Sequence, residues 1–225
     1  MPLQEKSSRP RCEHCRRPVS HCLCAHISVI DNHTQVLILQ HPDEAKHPMN
    51  TARLAVLGLR HANLLVGETF PDLDDQLVLA GDAVLLFPAK DESASEKTKK
   101  TLVTEEDAVQ PAICPPQEAS SAQSKARLLI VPDGTWRKAR RIVNANTALQ
   151  ALPRLSLHSA EASEYIVRRA REPHALSTIE AIVHALGILE PAQDFRPLLR
   201  PFHVMVEQQI KAMGPTVYQR NYVGR

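Results

Sequence analysis

Four cysteines lie close together near the start of the chain, at Cys12, Cys15, Cys22 and Cys24. Four thiolates within one short segment suit a tetrahedral zinc ion, which needs four ligands and little scaffold. Because protein ligands then fill every position around the metal, such a site is structural. A disulfide pair and free thiols are the alternatives, and three histidines are possible substitute ligands: His14, His21 and His26. We predict structural zinc, since a cytoplasmic protein keeps its thiols reduced.

A second group of reactive residues lies in "VPDGTWRKARRIV" (131–143), which contains the single tryptophan of the chain. Asp133 offers a carboxylate for proton transfer, Thr135 a hydroxyl, and Trp136 a ring that either stacks on a base or packs into the core. The dipole of a following helix lowers the pKa of such a carboxylate unless the site excludes water. Four basic residues are candidates for phosphate contact, with a solvated helix face as the alternative: Arg137, Lys138, Arg140 and Arg141.

A third polar segment, "LQHPDEAKHPMNTARL" (39–54), follows an apolar run. His41, Glu44 and His47 could bind a metal, but two prolines argue against one helix that carries both histidines. We therefore favour the wall of a binding cleft. The residues expected to contact a ligand are Asn50, Thr51 and Arg53.

These groups must be positioned by the elements that precede them. Continuous apolar runs predict strands buried on both faces at 35–40, 63–67, 83–88, 127–133 and, more weakly, 154–159. Helical patterns cover 50–59, 136–149, 177–189 and 195–213, and Ser177 and Glu180 have the spacing of a capping box. This alternation predicts an α/β fold with a mostly parallel sheet, in which sites form at the carboxyl ends of strands.

The composition fits one domain with a small appendage. The chain has 225 residues, 43% hydrophobic content and a net charge of +2, too weak to indicate a nucleic-acid binder by itself. We assign residues 1–30 to a tail and cysteine-rich module and 31–225 to the α/β domain, with a flexible insert at about 90–125. No signal peptide or membrane span is recognisable, which predicts a soluble cytoplasmic protein. Dinucleotide-binding, P-loop and nucleophile-elbow motifs are missing.

The chain resembles the DTW-domain family, which is named for the pattern Asp-x-Thr-Trp found here at Asp133, Thr135 and Trp136. The resemblance extends to the cysteine cluster, to residues 39–54, to "LLFP" (85–88) and to "LSTIEA" (176–181). It implies a tRNA-uridine aminocarboxypropyltransferase, which moves the 3-amino-3-carboxypropyl group of S-adenosylmethionine to N3 of a uridine and releases methylthioadenosine. It also implies a SPOUT-related core with a trefoil knot.

The resemblance implies roles for named residues. Asp133, Thr135 and Trp136 would be catalytic, with tRNA and S-adenosylmethionine as partners. The sequence leaves the oligomeric state open, and we favour a monomer. The residues implied to bind the cofactor are Asn50, Thr51, Arg53, Phe87, Pro88, Pro132, Asp133, Ser177, Thr178 and Glu180. An RNA methyltransferase of the same fold and a non-enzymatic zinc-containing RNA-binding module are the alternatives.

Overall fold

A five-stranded parallel sheet forms the centre of the molecule. The structure, a computed structural model, describes residues 10–88, 127–157, 176–214 and 216–218. The strands are β1 (Gln35–Gln40), β2 (Ala62–Val66), β3 (Ala83–Leu86), β4 (Leu128–Asp133) and β5 (Arg154–Leu155). Their order across the sheet is β2-β1-β4-β3-β5, and every pair is parallel. The predicted α/β class with a mostly parallel sheet is confirmed.

Helices cover both faces of the sheet, which explains the continuous apolar runs of β1 and β4. One face packs against α2 (Thr51–Gly58), α6 (Thr178–Leu189) and α7 (Arg200–Met213). The other packs against α3 (Leu73–Ala80), α4 (Trp136–Ala145) and α5 (Thr147–Ala151). The short helix α1 (Pro42–Ala45) directly follows β1. Leucine, isoleucine and valine supply most of both cores.

The elements differ from the sequence prediction in three places. The helices α1 and α3 are additional. The helix predicted at 136–149 is divided, because the buried Asn146 bonds to the backbone of residues 68 and 142 between α4 and α5. The helix predicted at 195–213 begins with a 3-10 turn, Arg196–Leu199, before α7. The last two residues of the strand predicted at 154–159 lie outside the described residues.

The cysteine-rich segment packs directly on the α/β core. Leu23 is fully buried among side chains of the α2, α6 and α7 layer. Ile30 forms a parallel bridge with Leu59 at the end of α2. None of the described helices is long and apolar enough to cross a membrane. The implied trefoil knot depends on the path of residues 89–126 and 158–175, which lie outside the described residues, so it stays a prediction.

Candidate active site and metal centre

A cleft opens at the carboxyl edge of the sheet, where β1 and β4 lie side by side. Gln40 and Asp133, the last residues of these strands, are partners in the sheet register. The cleft is lined by Glu44, His47, Met49, Asn50, Thr51, Asp133, Gly134 and Thr178. These residues come from three segments that the sequence pattern marked as site-prone. The structure therefore brings together the strand ends and the starts of α2 and α6.

Asp133 is the most constrained acid of the cleft. Its side chain is buried, with 8% exposed. The side-chain amide of Gln40 donates to Oδ2 at 2.7 Å, and the hydroxyl of Thr178 donates to Oδ1. Hydrogen bonds to a carboxylate are stronger than those between neutral groups, so they fix the orientation of this side chain. The backbone N–H of His41 also donates to the Asp133 carbonyl at 3.0 Å.

Gln40 is a site residue that the sequence reasoning missed. Its side chain is 1% exposed and exchanges hydrogen bonds with the Asn50 amide, at 3.2 and 3.3 Å. The Asn50 oxygen also accepts the Arg53 N–H at 3.1 Å and so caps α2. A chain of polar contacts therefore joins the start of α2 to Asp133 and α6. The available signal was a glutamine that ends an otherwise apolar buried strand.

The predicted cofactor residues at the start of α6 differ in what their side chains contact. Ser177 and Glu180 form a complete capping box, and both are buried. Their side chains are thus engaged in holding the helix start. Thr178, one residue into the helix, reaches the cleft and Asp133. Of this predicted group, Thr178 is the side chain placed to contact a ligand.

Thr135 and Trp136 lie outside the cleft that contains Asp133. Trp136 is 42% exposed, so it does not fill the core. Its ring lies 5.2 Å from that of the buried Phe87, and Arg140 lies 6.0 Å over it. Thr135 occupies the N-cap position of α4, yet its hydroxyl makes no capping hydrogen bond. The motif therefore presents its acid towards β1 and its ring towards β3.

Gly134 allows a close approach between α4 and the cleft wall. A Cβ atom at this position would lie 2.9 Å from the Lys138 Cβ and 3.6 Å from the His41 Cβ. Real Cβ atoms do not come within 3.0 Å of such neighbours, so a side chain here would force residue 134 and the first turns of α4 apart, whereas the distance to His41 is an ordinary contact. Glycine at the second position of the motif is thus explained by packing.

The cleft wall is braced by ion pairs that reach α4. Lys138 contacts Glu44 at 3.0 Å and Asp43 at 3.3 Å, and the hydrogen bond to Glu44 raises the pKa of Lys138. Arg141 contacts Glu68 at 3.0 Å, and Glu68 in turn pairs with His41 at 2.8 Å. Of the four basic residues, two are therefore engaged with acids of the wall. The other two, Arg137 and Arg140, lie on the exposed face of the helix.

The three polar residues predicted for the cleft wall, His41, Glu44 and His47, have separate hydrogen-bond partners. Nδ1 of His41 accepts the Asp43 N–H and caps α1, so Nε2 carries the hydrogen that Glu68 accepts. Nδ1 of His47 accepts the Met49 N–H at 3.2 Å. In the described part of the chain, these side chains form no metal-binding group. The arrangement agrees with a cleft wall.

Among the described residues, the four cysteines form a group that could hold a metal ion, with their sulfur atoms within 4.8 Å of one another. Cys12 and Cys24 are separated by 3.6 Å between sulfurs, and Cys15 and Cys22 by 3.8 Å. Tetrahedral ligands about 2.3 Å from zinc are about 3.8 Å apart. Disulfide sulfurs lie about 2 Å apart, so the geometry fits a metal and not a disulfide.

The surroundings of the cluster shift the pKa values of two of its cysteines. Backbone N–H groups of Cys15 and His14 lower the pKa of Cys12 to about 6. Burial, followed by contacts with the neighbouring thiols, raises the pKa of Cys24 to about 12. A cation bound by the four sulfurs would favour their thiolate forms. His14 contacts the Cys24 sulfur at 3.4 Å through Nδ1 and lies outside the set of four ligands.

The cysteine-rich module is tied to the loop that lines the cleft. Arg53 donates to the His14 carbonyl at 2.6 Å, and Arg17 donates to the Pro48 carbonyl at 2.9 Å. Burial, and after it the positive charge of nearby Arg16, lowers the pKa of Arg53. Arg53, which the sequence predicts to contact a ligand, attaches the cysteine-rich module to the start of α2 in this structure, and its contact with a ligand stays a prediction.

Comparisons with known proteins identify the family of the chain. The model of the DTW domain matches residues 9–210. The chain belongs to the DTW-domain family. It is 30% identical over 212 residues to tRNA-uridine aminocarboxypropyltransferase 2 of Drosophila melanogaster, covering 90% of this chain and 76% of that protein.

More distant relatives carry related names. The Mus musculus protein of the same name is 26% identical, with 100% of this chain and 72% of the relative covered. Arabidopsis thaliana tRNA-uridine aminocarboxypropyltransferase A is also 26% identical, with 92% and 83% covered. No solved structure matches the chain. At the level of the family, these relatives support a transferase that modifies tRNA.

Proposed function

We propose that this DTW-domain protein transfers the 3-amino-3-carboxypropyl group of S-adenosylmethionine to N3 of a tRNA uridine and releases methylthioadenosine. The observation that carries the proposal is the buried Asp133, held by Gln40 and Thr178 in a cleft between two helix starts. The names of the relatives support the same activity.

The cleft fits the amino-acid part of the donor. The starts of α2 and α6 both line it, through Asn50, Thr51 and Thr178. Backbone N–H groups at helix starts bind carboxylates. When bound, S-adenosylmethionine supplies an activated carbon next to a sulfonium, which leaves as a neutral thioether. The residues of the cleft then have two tasks, alignment and proton removal.

Asp133 removes the N3 proton of the uridine in this proposal. The N3 anion forms a bond to the γ-carbon of the methionyl group as the carbon–sulfur bond breaks, and the electron pair passes to sulfur. Gln40 and Thr178 hold the carboxylate while it accepts the proton. Trp136, exposed on the β3 side, stacks on a base of the tRNA. Arg137 and Arg140 contact its phosphates.

The metal of the cysteine cluster is zinc in a structural role. Four thiolates are the donor set that zinc prefers, and they leave no open position for catalysis. Zinc would hold the module whose residues attach to the cleft loop at His14 and Arg17.

The decisive experiment is transfer to unmodified tRNA by the purified chain, with products identified by mass spectrometry. An aminocarboxypropyl-uridine together with methylthioadenosine is expected. Methylated tRNA with S-adenosylhomocysteine would instead indicate a methyltransferase. Binding of tRNA without affinity for S-adenosylmethionine, measured by calorimetry, would indicate a non-enzymatic RNA-binding module.

The variant Asp133→Asn tests the role of the acid. Loss of the base is expected to lower the transfer rate by about 100-fold or more. The control is Asp82→Asn, an exposed acid paired with Arg127 at the other edge of the sheet, which should transfer at the rate of the wild type. Full transfer by Asp133→Asn would contradict the assignment of the base.

A further inference from the structure

Arg16 has a backbone conformation that is unfavourable for arginine. Its φ angle is +58°, and it is the one non-glycine residue with positive φ in the described ranges. It follows Cys15 in a tight turn, in which its N–H donates to the Cys12 carbonyl at 2.8 Å. Glycine adopts this conformation freely, whereas other residues pay a cost. An arginine at a position that favours glycine points to a function of its side chain.

The surroundings of Arg16 are basic. Residues 10–30 contain three arginines, at positions 11, 16 and 17, and a single acid, Glu13. The side chain of Arg16 is exposed, and its charge acts on the neighbouring Arg53. Arg53 is held by a carbonyl oxygen, which satisfies its donors without cancelling its charge. A concentration of positive charge therefore borders the cleft loop.

The position of this surface matches the path of a long polyanion. The module attaches to Pro48 and to Arg53, beside the cleft residues His47 and Asn50. The helix α4 follows β4, the other strand of the site, and its exposed basic face begins a few residues after Asp133. A nucleic acid that places a base at the cleft thus meets positive charge on both sides of it. Phosphate contacts of this kind supply affinity and register.

We propose that the cysteine-rich module, residues 10–30, is part of the tRNA-binding surface, with Arg16 contacting the sugar-phosphate backbone beside the cleft. The inference rests on the proposed function, because that function supplies the tRNA. The competing role for Arg16 is local, since a zinc ion with four thiolates carries net negative charge that arginines would offset. The two roles differ in which measurement responds when the side chain is removed.

The variant Arg16→Gly separates these roles, since it removes the charge and also relieves the backbone strain. We expect an unchanged or higher Tm and an unchanged zinc content. The Kd for an unmodified tRNA transcript, measured by fluorescence anisotropy, should rise several-fold. The slope of log Kd against log salt concentration should decrease by about one, the change expected when one phosphate contact is lost. The control Arg60→Ala removes the same charge from an exposed residue paired with Asp31 and should leave the Kd unchanged.

Each other outcome overturns the inference. An Arg16→Gly protein that binds tRNA as tightly as the wild type shows that Arg16 makes no contact with it. A variant that loses zinc or has a lower Tm shows that Arg16 serves the metal module itself. A wild-type chain that binds no tRNA overturns the proposed function together with this inference, which distinguishes that failure from the first two.

Discussion

A single glutamine determines how the candidate base is presented. Gln40 is almost completely buried, and its amide contacts both Asp133 and Asn50. A buried amide of this kind is costly unless its donors and acceptor are satisfied. Here the Gln40 amide is bonded to polar groups of the site, Asn50 and Asp133. The residue therefore positions the carboxylate without entering the reaction.

Replacement of Gln40 by methionine keeps the side-chain volume and removes the donor. We expect the free energy of unfolding to fall by about 2 kcal/mol, because the Asp133 carboxylate loses a buried hydrogen bond. The transfer rate should also fall, since the carboxylate is less firmly held. Urea denaturation and the transfer assay measure the two effects. The control Gln35→Met alters the exposed first residue of the same strand and should change neither.

Mutation of Trp136 distinguishes a structural role of its ring from a functional one. Replacement of a buried tryptophan by alanine costs about 3–5 kcal/mol, whereas this ring is 42% exposed. We expect Trp136→Ala to lower the free energy of unfolding by less than about 1.5 kcal/mol, the upper range for an aromatic pair, and to lower kcat/KM for tRNA strongly. Phe202→Ala, in the fully buried core, gives the reference for a packing loss. A large loss of stability in Trp136→Ala would show that the ring has a structural role.

At the scale of elements, the starts of the helices decide where polar groups point. Asn50 caps α2, His41 caps α1 and Ser177 caps α6, each through a side-chain acceptor. Two of these three helix starts line the cleft. The cleft is therefore assembled from helix caps at the ends of parallel strands, a location at which α/β sheets bind ligands.

The N-cap residues of α6 and α4 can be compared by their effect on stability. Ser177→Ala removes a buried capping hydroxyl and should lower the free energy of unfolding by about 1 kcal/mol. Thr135→Ala changes the same position of α4, where the hydroxyl makes no capping bond, and should leave stability unchanged. Thermal unfolding of both variants checks this. Equal losses would mean that Thr135 caps its helix in solution.

The sequence predicted the strands well and the short helices poorly. Continuous apolar runs identify β1 and β4 because both faces of the sheet are covered. Helix α1 has four residues and is capped by a histidine, which is not a preferred cap. Helix α3 has eight residues, and only Leu73 is fully buried, while Leu77 and Ala80 on the same face are partly buried. The periodic signal of such short helices is weak.

The site was predictable where a sequence motif marks it, at Asn50, Thr51, Asp133 and Thr178. Asp133 and Asn50 follow apolar runs, and the structure places both at the cleft. The pairing of Lys138 with Glu44 joins residues 94 positions apart, and no local pattern predicts it. The attachment of Arg53 to the cysteine module likewise depends on tertiary contacts.

At the scale of the whole molecule, the metal module and the core are one packed unit, because Leu23 is buried in the core. Protons compete with metal for the thiolates. The Cys12 pKa is lowered to about 6, so its thiolate is present above that value and is lost as the pH falls through it. A bound cation lowers this pKa further. We therefore expect zinc to be retained at pH 7 and released only at a pH well below 6.

Metal content after dialysis at a series of pH values, read by atomic absorption, measures this release. The Tm should fall over the same range of pH, since the module then loosens from the core. Cys22→Ser, which removes one ligand, should bind zinc weakly at every pH. Zinc retention at pH 4 by the wild-type chain would contradict the prediction.

The neighbouring positions of β1 and β4 have a consequence for the order of folding. The metal centre closes over cysteines at most 12 positions apart, whereas the Gln40–Asp133 contact spans 93 and the Asp133–Thr178 contact spans 45. Contacts between distant residues form slowly, because a long loop must first close. During synthesis on the ribosome, the cysteines emerge and can capture their metal long before Thr178 is made. The cleft is therefore completed last, on a module that is already in place.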